Sequence, residues 1–265
     1  MLLDEPKVMG ILNITPDSFY EGSRTAEEKD LLTKTESMIK YGADLIDIGG
    51  YSTRPGADYV SASEEERRVC TAIAIVKKEF PKVIISVDTF RSAVAKMAIA
   101  SGASIINDVS GGKLDNEMFT TVAKLKVPYV LMHMRGTPQT MKSLAQYDDL
   151  LIEVYQELQS QVVELTKLGV SDVIIDPGFG FAKTIDHNYE ILKNLKYFQQ
   201  LELPILAGIS RKSMIYKTLN ISAEESLNGT TALNMAALIN GASILRVHDV
   251  EEAKQCVQLY NEIYA

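Results

Sequence analysis

The sequence predicts an α/β protein that folds as a single (β/α)8 barrel, the TIM-barrel architecture, over residues 1–265. Eight short apolar segments alternate with longer amphipathic stretches from end to end, and no linker or low-complexity tract divides the chain. Most of these segments are continuously apolar, as is typical of parallel strands that helices cover on both faces. Eight βα units in about 250 residues match the usual size of such a barrel.

The predicted strands are short and follow one another at intervals that leave room for a helix. A parallel strand needs such a crossover before the next parallel strand can pair with it. In chain order we predict Val8–Ile14, Asp44–Ile48, Val83–Val87, Ser104–Ile106, Pro128–Met132, Asp172–Ile175, Pro204–Ile209 and Ile244–Val247.

The intervening stretches carry the spacing of amphipathic helices. In one of them Val69, Ile73 and Val76 recur at helical intervals, and Ser63 with Glu66 predicts a capping box at its start. Glycine follows four of the helical patterns and precedes a strand each time, as expected for a helix C-cap. These glycines are spaced by roughly two βα units, which indicates a repeat: Gly42, Gly102, Gly169 and Gly241.

An open, doubly wound sheet is the alternative architecture. Such sheets often carry a glycine-rich nucleotide-binding turn after the first strand. Here the first predicted strand leads into Asn13-Ile14-Thr15-Pro16, which is no such turn. The pattern therefore favours the barrel.

Composition excludes several classes of partner. The net charge is −8 and no basic run is present, so nucleic acid and anionic membranes are not expected as main partners. No apolar run reaches the ~18–20 residues of a membrane span, and Met1 to Lys7 does not resemble a signal peptide. The two cysteines, Cys70 and Cys256, lie in predicted helices and are expected to be free thiols. We therefore expect a cytoplasmic protein.

Polar residues stand at the end of every predicted strand, which is where active sites lie in this fold. Any one of them alone is more often a cap or a turn residue, but eight together predict a site, because buried polar groups need partners. They are Asn13, Asp47, Asp88, Asn107 with Asp108, His133, Asp176, Ser210-Arg211-Lys212, and Arg246 with His248.

The carboxylates of this set restrict the ligand. Asp47, Asp88 and Asp176 cannot converge unpaired, because like charges raise one another's pKa. A divalent metal cluster would satisfy them, and so would a ring rich in N–H donors, such as an aminopyrimidinone. The strand ends offer few His or Glu ligands, which favours the ring. Lys212, Arg246 and His248 would then face a phosphate or pyrophosphate group.

Several strings of residues carry a resemblance to a known family. The chain resembles the dihydropteroate synthase family from about residue 7 to its end. The strings are Met9-Gly10-Ile11-Leu12-Asn13-Ile14-Thr15-Pro16-Asp17-Ser18-Phe19, Gly49-Gly50-Tyr51-Ser52-Thr53-Arg54-Pro55-Gly56, Ser86-Val87-Asp88-Thr89, Ile105-Ile106-Asn107-Asp108, Asp176-Pro177-Gly178-Phe179-Gly180-Phe181-Ala182-Lys183, Ser210-Arg211-Lys212 and Arg246-Val247-His248.

The resemblance implies two substrates, 6-hydroxymethyl-7,8-dihydropterin pyrophosphate and 4-aminobenzoate, and a homodimer that uses Mg²⁺. It implies that pyrophosphate leaves early, that a cation-like methylene forms on the pterin, and that the arylamine then attacks. Asp88, Lys212, Arg246 and His248 would have the catalytic roles. Substrate contacts would further come from Phe19, Asp47, Thr53, Arg54, Pro55, Asn107, Asp176, Phe181 and Ser210, and a magnesium contact from Asn13.

One departure from the family pattern lies in the loop after the first strand. Many relatives read Ser-Asp-Gly-Gly where this chain reads Tyr20-Glu21-Gly22-Ser23, so the carboxylate of Glu21 stands about one methylene further out. Three rival functions stay open on the sequence. They are a methyltetrahydrofolate–corrinoid methyltransferase-like barrel, a catalytically dead pterin-binding paralogue, and a metal-dependent barrel lyase or isomerase.

Overall fold

The computed structural model describes residues 4–14, 24–52, 59–137 and 139–264 of the chain. Eight parallel strands form one sheet in the order β6-β5-β4-β3-β2-β1-β8-β7, and a parallel bridge between Ile175 and Ile205 joins its two edges. The predicted barrel is therefore confirmed. The strands are β1 Lys7–Asn13, β2 Leu45–Gly49, β3 Ile84–Asp88, β4 Ile105–Asp108, β5 Tyr129–Met132, β6 Val173–Asp176, β7 Leu206–Ala207 and β8 Ile244–Val247.

Helices cover the outside of the barrel. Two of them, α7 and α8, lie between the last two strands, and short 3-10 helices span Met141–Leu144 and Leu195–Leu201. The α-helices are α1 Arg24–Lys40, α2 Ala62–Glu79, α3 Ser92–Ala100, α4 Met118–Leu125, α5 Leu150–Lys167, α6 Ile185–Lys193, α7 Ser213–Leu219, α8 Leu227–Ile239 and α9 Val250–Tyr264. None of the helices within the described ranges is long and apolar enough to cross a membrane.

Alternate residues of each strand face opposite sides of the barrel wall, as the two-residue period of a strand requires. One side packs against the helices in a large apolar core. The other side fills the barrel interior with a separate buried cluster, to which seven of the eight strands contribute. Its members are Met9, Leu45, Ile105, Val130, Ile174, Leu206 and Ile244.

The start of α2 differs from the prediction. Its N-cap is Ser61, whose Oγ accepts a hydrogen bond from the Glu64 N–H at 3.2 Å, so the capping box predicted at Ser63 is wrong. Both Ser61 and Ser63 precede a glutamate by three residues, so the sequence pattern fits either one. The extended backbone of Ser61, with φ −65° and ψ 156°, determines which serine caps the helix.

The ends of the helices agree with the repeat seen in the sequence. The four predicted C-cap glycines all have positive φ, between 85° and 115°, which an L residue with a side chain adopts at a cost. Both cysteines lie in helices, as predicted, and both are free thiols.

Candidate functional site

The inward-facing ends of β1 to β4 place a row of residues at one mouth of the barrel. In the parallel register Asn13 pairs with Gly49, Gly49 with Asp88, and Asp88 with Asn107. A Cβ at Gly49 would lie 3.4 Å from Asp88 Cβ and 3.6 Å from Asn13 Oδ1. Glycine at this position therefore leaves the space between the amide and the carboxylate open.

Arg246 on β8 joins two carboxylates from other strands. Its Nε donates to Asp47 Oδ2 at 2.6 Å, and its Nη2 donates to Asp88 Oδ2 at 2.7 Å. Asn107 Nδ2 donates to the same Asp47 oxygen at 3.0 Å. The other oxygen of Asp47 is buried and has no hydrogen-bond partner among the described residues, and the same holds for Ser86 Oγ. A buried carboxylate oxygen without a partner is costly, so this site is built to receive a donor.

Burial and charge shift the ionisation of this cluster. Burial raises the pKa of Asp88 to about 7, with the nearby Asp47 charge adding to the shift and Arg246 opposing it. Burial acts to lower the pKa of Arg246, but Asp47 and Asp88 outweigh it and leave the pKa raised. The guanidinium therefore stays charged at any physiological pH, while Asp88 is poised to change its protonation state near neutrality.

A second half of the site lies at the ends of β6 and β7. Asp176 Oδ1 accepts a hydrogen bond from the Gly178 N–H at 2.7 Å, and Lys212 donates to the carbonyl of Phe179. The Lys212 ammonium also lies over the Phe181 ring, 5.1 Å from its centroid. Burial raises the pKa of Asp176 although the Lys212 charge opposes it, and burial lowers the pKa of Lys212 to about 8.

An apolar wall lies beside these polar groups, and of its members the sequence analysis names only Phe181. Three buried residues, Val109, Met132 and Met134, pack with the partly buried rings of Phe90 and Phe181 in a cluster separate from the two larger cores. Met132 follows the inward-facing Val130 by two residues, so strand alternation could have predicted its direction. Together with Phe181, this wall can cover the face of a flat heterocycle.

Ser210 and His248 connect the ends of β7 and β8. Ser210 Oγ lies 3.1 Å from His248 Nδ1 and accepts from the His248 backbone N–H at 3.2 Å. Both residues therefore lie on the side of the mouth where the sequence predicts an anion.

Three polar residues predicted for the rim do not face the mouth, and the expectation that every strand end contributes is wrong at β5. The Asp108 oxygens accept from the backbone N–H groups of Ser110 and Gly112 and from the Tyr129 hydroxyl, at 2.7 to 2.8 Å. Arg211 binds both oxygens of Asp249 at 2.9 and 2.8 Å.

The third of these positions, His133, is fully buried on the outer side of β5. Its Nδ1 lies 2.9 Å from Lys183 Nζ, and its Nε2 lies 3.4 Å from Glu157 on α5. Asp108 and His133 follow the inward-facing Asn107 and Met132 by one residue, so strand alternation directs them away from the mouth. Arg211 lies in the turn after β7 with φ 54°, and its contacts with Asp249 and the Ala223 carbonyl hold it outside the mouth. All three residues therefore serve the fold around the site.

Several predicted site residues lie outside the described residues. They are Phe19, Thr53, Arg54 and Pro55, together with Glu21. His187 belongs to the capping box at the start of α6, where its backbone N–H donates to Thr184 Oγ1 at 3.1 Å.

A metal site built from protein carboxylates is not found in the part of the chain that the structure describes. No three His, Cys, Asp or Glu side chains converge there in a way that could hold a metal ion. Asp47 and Asp88 share the Arg246 guanidinium instead. Of the two solutions that the sequence left open, the described geometry supports the donor-rich ligand.

Comparison with known proteins agrees with this geometry. The family model described as pterin binding enzyme matches residues 9–248. Dihydropteroate synthase of Escherichia coli (strain K12) is 41% identical over 263 residues, which cover 97% of this chain and 91% of that protein. The folic acid synthesis protein fol1 of Schizosaccharomyces pombe is 45% identical over 263 residues, 96% of this chain, but this chain spans only 36% of that longer protein.

A solved structure extends the agreement to three dimensions. Dihydropteroate synthase of Xanthomonas albilineans, determined with 4-aminobenzoic acid, superposes with a TM-score of 0.90 at 38% identity, covering 99% of this chain and 94% of that one. The family match spans most of the sequence, and the identities hold over nearly the whole chain. This chain therefore belongs to the dihydropteroate synthases, within the pterin-binding enzyme family.

Proposed function

We propose that this chain joins 6-hydroxymethyl-7,8-dihydropterin pyrophosphate to 4-aminobenzoate, forming 7,8-dihydropteroate and releasing pyrophosphate. The observation that carries the proposal is the acceptor-rich cluster at the barrel mouth, where a buried Asp47 oxygen lacks a partner beside one guanidinium and one ammonium. An aminopyrimidinone edge presents several N–H donors to such acceptors. The names of the relatives support the same reaction.

The pterin ring would lie between the two halves of the site. Asp88, Asn107 and Asp176 would accept its N–H groups, and Lys212 would donate to its carbonyl oxygen. Asp47 would accept a further N–H group with its unbonded oxygen, because its other oxygen already receives Asn107 and Arg246. The Phe181 ring and the apolar wall would pack against the faces of the heterocycle.

The pyrophosphate would lie beside β7 and β8. Nη1 of Arg246 takes part in neither of the ion pairs to Asp47 and Asp88, so it can donate to a phosphate oxygen. Ser210 and His248 stand at the ends of the adjacent strands. Thr53 and Arg54 would add to the proposed contacts with the pyrophosphate. Phe19 and Pro55 would line the proposed pocket for 4-aminobenzoate.

The chemistry exchanges one bond for another at the pterin methylene. The carbon–oxygen bond to pyrophosphate breaks, the leaving oxygen keeps the electron pair, and the arylamine nitrogen then bonds to the same carbon and loses a proton. Arg246 and His248 would stabilise the departing charge, and the ionised form of Asp88 would stabilise the positive charge on the pterin. An arylamine is neutral at pH 7, so the reaction needs no strong base.

Magnesium fits this site as an ion held together with pyrophosphate. Asn13 supplies one amide oxygen at the mouth, next to the open space at Gly49. Mg²⁺ commonly keeps several waters and binds through few protein groups plus substrate phosphates, so a single oxygen ligand is compatible with it. When bound, the ion would offset the charge that develops on the leaving group.

We also propose a homodimer in the cytoplasm. The end of α9 exposes Leu259, Ile263 and Tyr264 with more than half of each side chain accessible, which is unusual for large apolar residues on one helix. Sedimentation equilibrium would test the oligomeric state, and a monomer at micromolar concentration would refute it. The two free thiols are consistent with a reducing compartment.

Three alternative functions are separated from this proposal by turnover or by pterin binding. A methyltetrahydrofolate–corrinoid methyltransferase-like barrel would have no use for an anion site at Arg246 and His248. A catalytically dead paralogue would bind the pterin without forming product. A metal-dependent barrel lyase or isomerase would bind no pterin pyrophosphate.

The test is a coupled assay of pyrophosphate release with purified protein, Mg²⁺ and pterin pyrophosphate, with and without 4-aminobenzoate. We expect release together with dihydropteroate formation. Arg246→Ala should weaken pyrophosphate binding by about 2–4 kcal/mol through loss of a charge-assisted contact. Tight pterin binding without product in the wild-type protein would refute the synthase activity, and unchanged pyrophosphate affinity in the variant would refute the role of Arg246.

A further inference from the structure

The segment after β6 has an unusual backbone that several side chains hold in place. Gly178 and Gly180 have φ of 76° and 79°, and Ala182 adopts φ 47°, which costs energy for a residue with a side chain. A Cβ at Gly178 would collide with the His133 carbonyl oxygen and would lie 3.3 Å from Lys183 Nζ. The segment therefore packs directly on the end of β5, and its conformation depends on groups outside it.

Three side-chain donors bind carbonyl oxygens of this segment. Lys212 donates to Phe179, Lys183 donates to Phe181 at 3.1 Å, and the Tyr147 hydroxyl donates to Ala182 at 2.9 Å. Lys212 belongs to the proposed pterin site, whereas Lys183 contacts His133 on the outer side of β5. The proposed mechanism assigns no role to Lys183.

The partners of Lys183 form a chain that leads to the outer helices. Its ammonium lies 2.9 Å from Nδ1 of the fully buried His133. Burial, with the Lys183 charge adding to it, lowers the pKa of His133 to about 3, so the ring is neutral and Nδ1 can accept a hydrogen bond. The proton then resides on Nε2, which faces Glu157 at 3.4 Å without making a well-formed hydrogen bond.

Glu157 is in turn fixed by two cations. Lys113 Nζ lies 2.6 Å from one of its oxygens, and the Arg135 guanidinium lies 2.7 Å from the other. A single line of contacts thus runs from α5 through Glu157, His133 and Lys183 to the Phe181 carbonyl.

We propose that Lys183 is a positioning residue for the pterin site, which holds the Phe181 backbone by its carbonyl and places an ammonium group near the Asp176 carboxylate. The inference rests on the function proposed above. The Phe181 ring belongs to the apolar wall, and Asp176 lies at the start of the same segment. Burial lowers the pKa of Lys183 to about 7, and the Asp176 charge opposes that shift. The Lys183 charge in turn acts to lower the pKa of Asp176, as the charges of Lys212 and Arg246 do. Lys183 acts through these residues and does not itself touch the substrate.

The test compares Lys183 with a lysine at the opposite end of the barrel. Lys183→Met removes the donor and the charge, while Lys254→Met removes a partly buried lysine that binds Asp44, just before the amino end of β2, at 3.1 Å. We expect Lys183→Met to raise the dissociation constant for pterin pyrophosphate about tenfold, as for loss of one hydrogen bond from a charged donor. The KM for 4-aminobenzoate should change less than twofold, and Lys254→Met should bind pterin as the wild type does.

A second variant keeps the proposal testable if Lys183→Met does not fold. Lys183→Gln retains an N–H donor without the charge, and we expect a loss of pterin affinity of about threefold. Pterin affinity within twofold of wild type in every folded Lys183 variant would overturn the positioning role, and so would equal losses for both substrates. Wild-type protein that fails to bind pterin pyrophosphate would instead refute the proposed function.

Discussion

Polar side chains at the carboxyl ends of the strands fall into two sets with opposite environments. Those that face outwards, such as Asp108 and Arg211, use their hydrogen-bonding groups on the loops and helices around them. Those that face inwards leave hydrogen-bonding capacity unused, as the buried Asp47 oxygen without a partner shows. The sets are interleaved in sequence, since Asn107 adjoins Asp108 and Lys212 adjoins Arg211. Residue type and position at a strand end therefore do not distinguish a residue of the site from one that stabilises the surrounding loops. The direction of the side chain does distinguish them.

The largest expected effect tests the inward set. Asp176→Ala should weaken binding of pterin pyrophosphate about 100-fold or more, because a charge-assisted acceptor is lost. Lys212, whose pKa burial already lowers to about 8, also loses the Asp176 charge that favours its ammonium form. Isothermal titration calorimetry measures the affinity. Asp172→Ala, one residue before the start of the same strand, is the matched control. Binding within threefold of wild type in Asp176→Ala would remove this residue from the ligand site.

Substitution of a residue in the outward set should lower the free energy of unfolding and leave the affinity for the pterin unchanged. Asp108→Ala deletes the acceptor of three hydrogen bonds and leaves buried donors unpaired, so we expect a loss of about 3 kcal/mol in the free energy of unfolding. Urea denaturation measures that loss. Pterin affinity of the folded variant should stay within twofold of wild type, and a tenfold weaker affinity without destabilisation would contradict the division into two sets.

The free energy of unfolding should depend on pH because the pKa of Asp88 is raised in the folded protein. Its pKa is raised from 3.8 to about 7 in the folded protein, so between about pH 4 and 7 the unfolded chain releases this proton while the folded protein keeps it. Asp88 therefore lowers stability progressively as pH rises through that window, by at most a few kcal/mol, and its effect is constant above it.

Thermal unfolding from pH 4 to 8 in the wild type and in Asp88→Asn tests this. The difference in Tm between the two proteins should grow in favour of the variant up to about pH 7. A difference that is constant with pH would show that the carboxyl titrates normally.

The smallest expected effect concerns Arg211. Arg211→Lys replaces a guanidinium that binds both oxygens of Asp249 and the carbonyls of Ala223 and Glu224, and a lysine cannot reproduce that geometry. We expect a loss of about 1 kcal/mol in unfolding free energy with unchanged pterin affinity. Weakened pterin binding would mean that Arg211 acts with its neighbour Lys212 in the site.

Much of the fold could be predicted from the chain alone. Continuously apolar segments predicted eight buried parallel strands, and Ile244–Val247 was predicted to the residue. The capping serine of α2 could not be chosen, because two serines fit the same local pattern and the direction of the incoming chain decides between them. The predicted strand from Pro204 to Ile209 is longer than the observed β7, because pairing ends at Ala207 and a turn closed by the Lys212 N–H on the Ile209 carbonyl follows.

The sequence predicted which residues form the site, but it did not predict which of them contact one another. Asp47, Asp88, Asn107, Asp176, Lys212 and Arg246 were all named from strand ends, and the structure brings them to one mouth of the barrel. The inclusion of His133 and Asp108 in the same rim was wrong, because the count of polar ends ignored which face each residue occupies. Apart from Phe181, the apolar wall was not predicted, because the search relied on polar and charged residues and the other wall residues carry no such group.

The sequence by itself determined the alternation of buried strands and helices and the set of polar residues that end the strands, because both depend on local patterns of residue type. Only the tertiary structure decided that Arg246 would join Asp47 and Asp88, which lie 199 and 158 residues away along the chain. It also decided that Lys183 would face His133, 50 residues away. Closure of the barrel brings β8 beside β1 and sets the parallel register. That register, and not the order of residues along the chain, determines which charges meet.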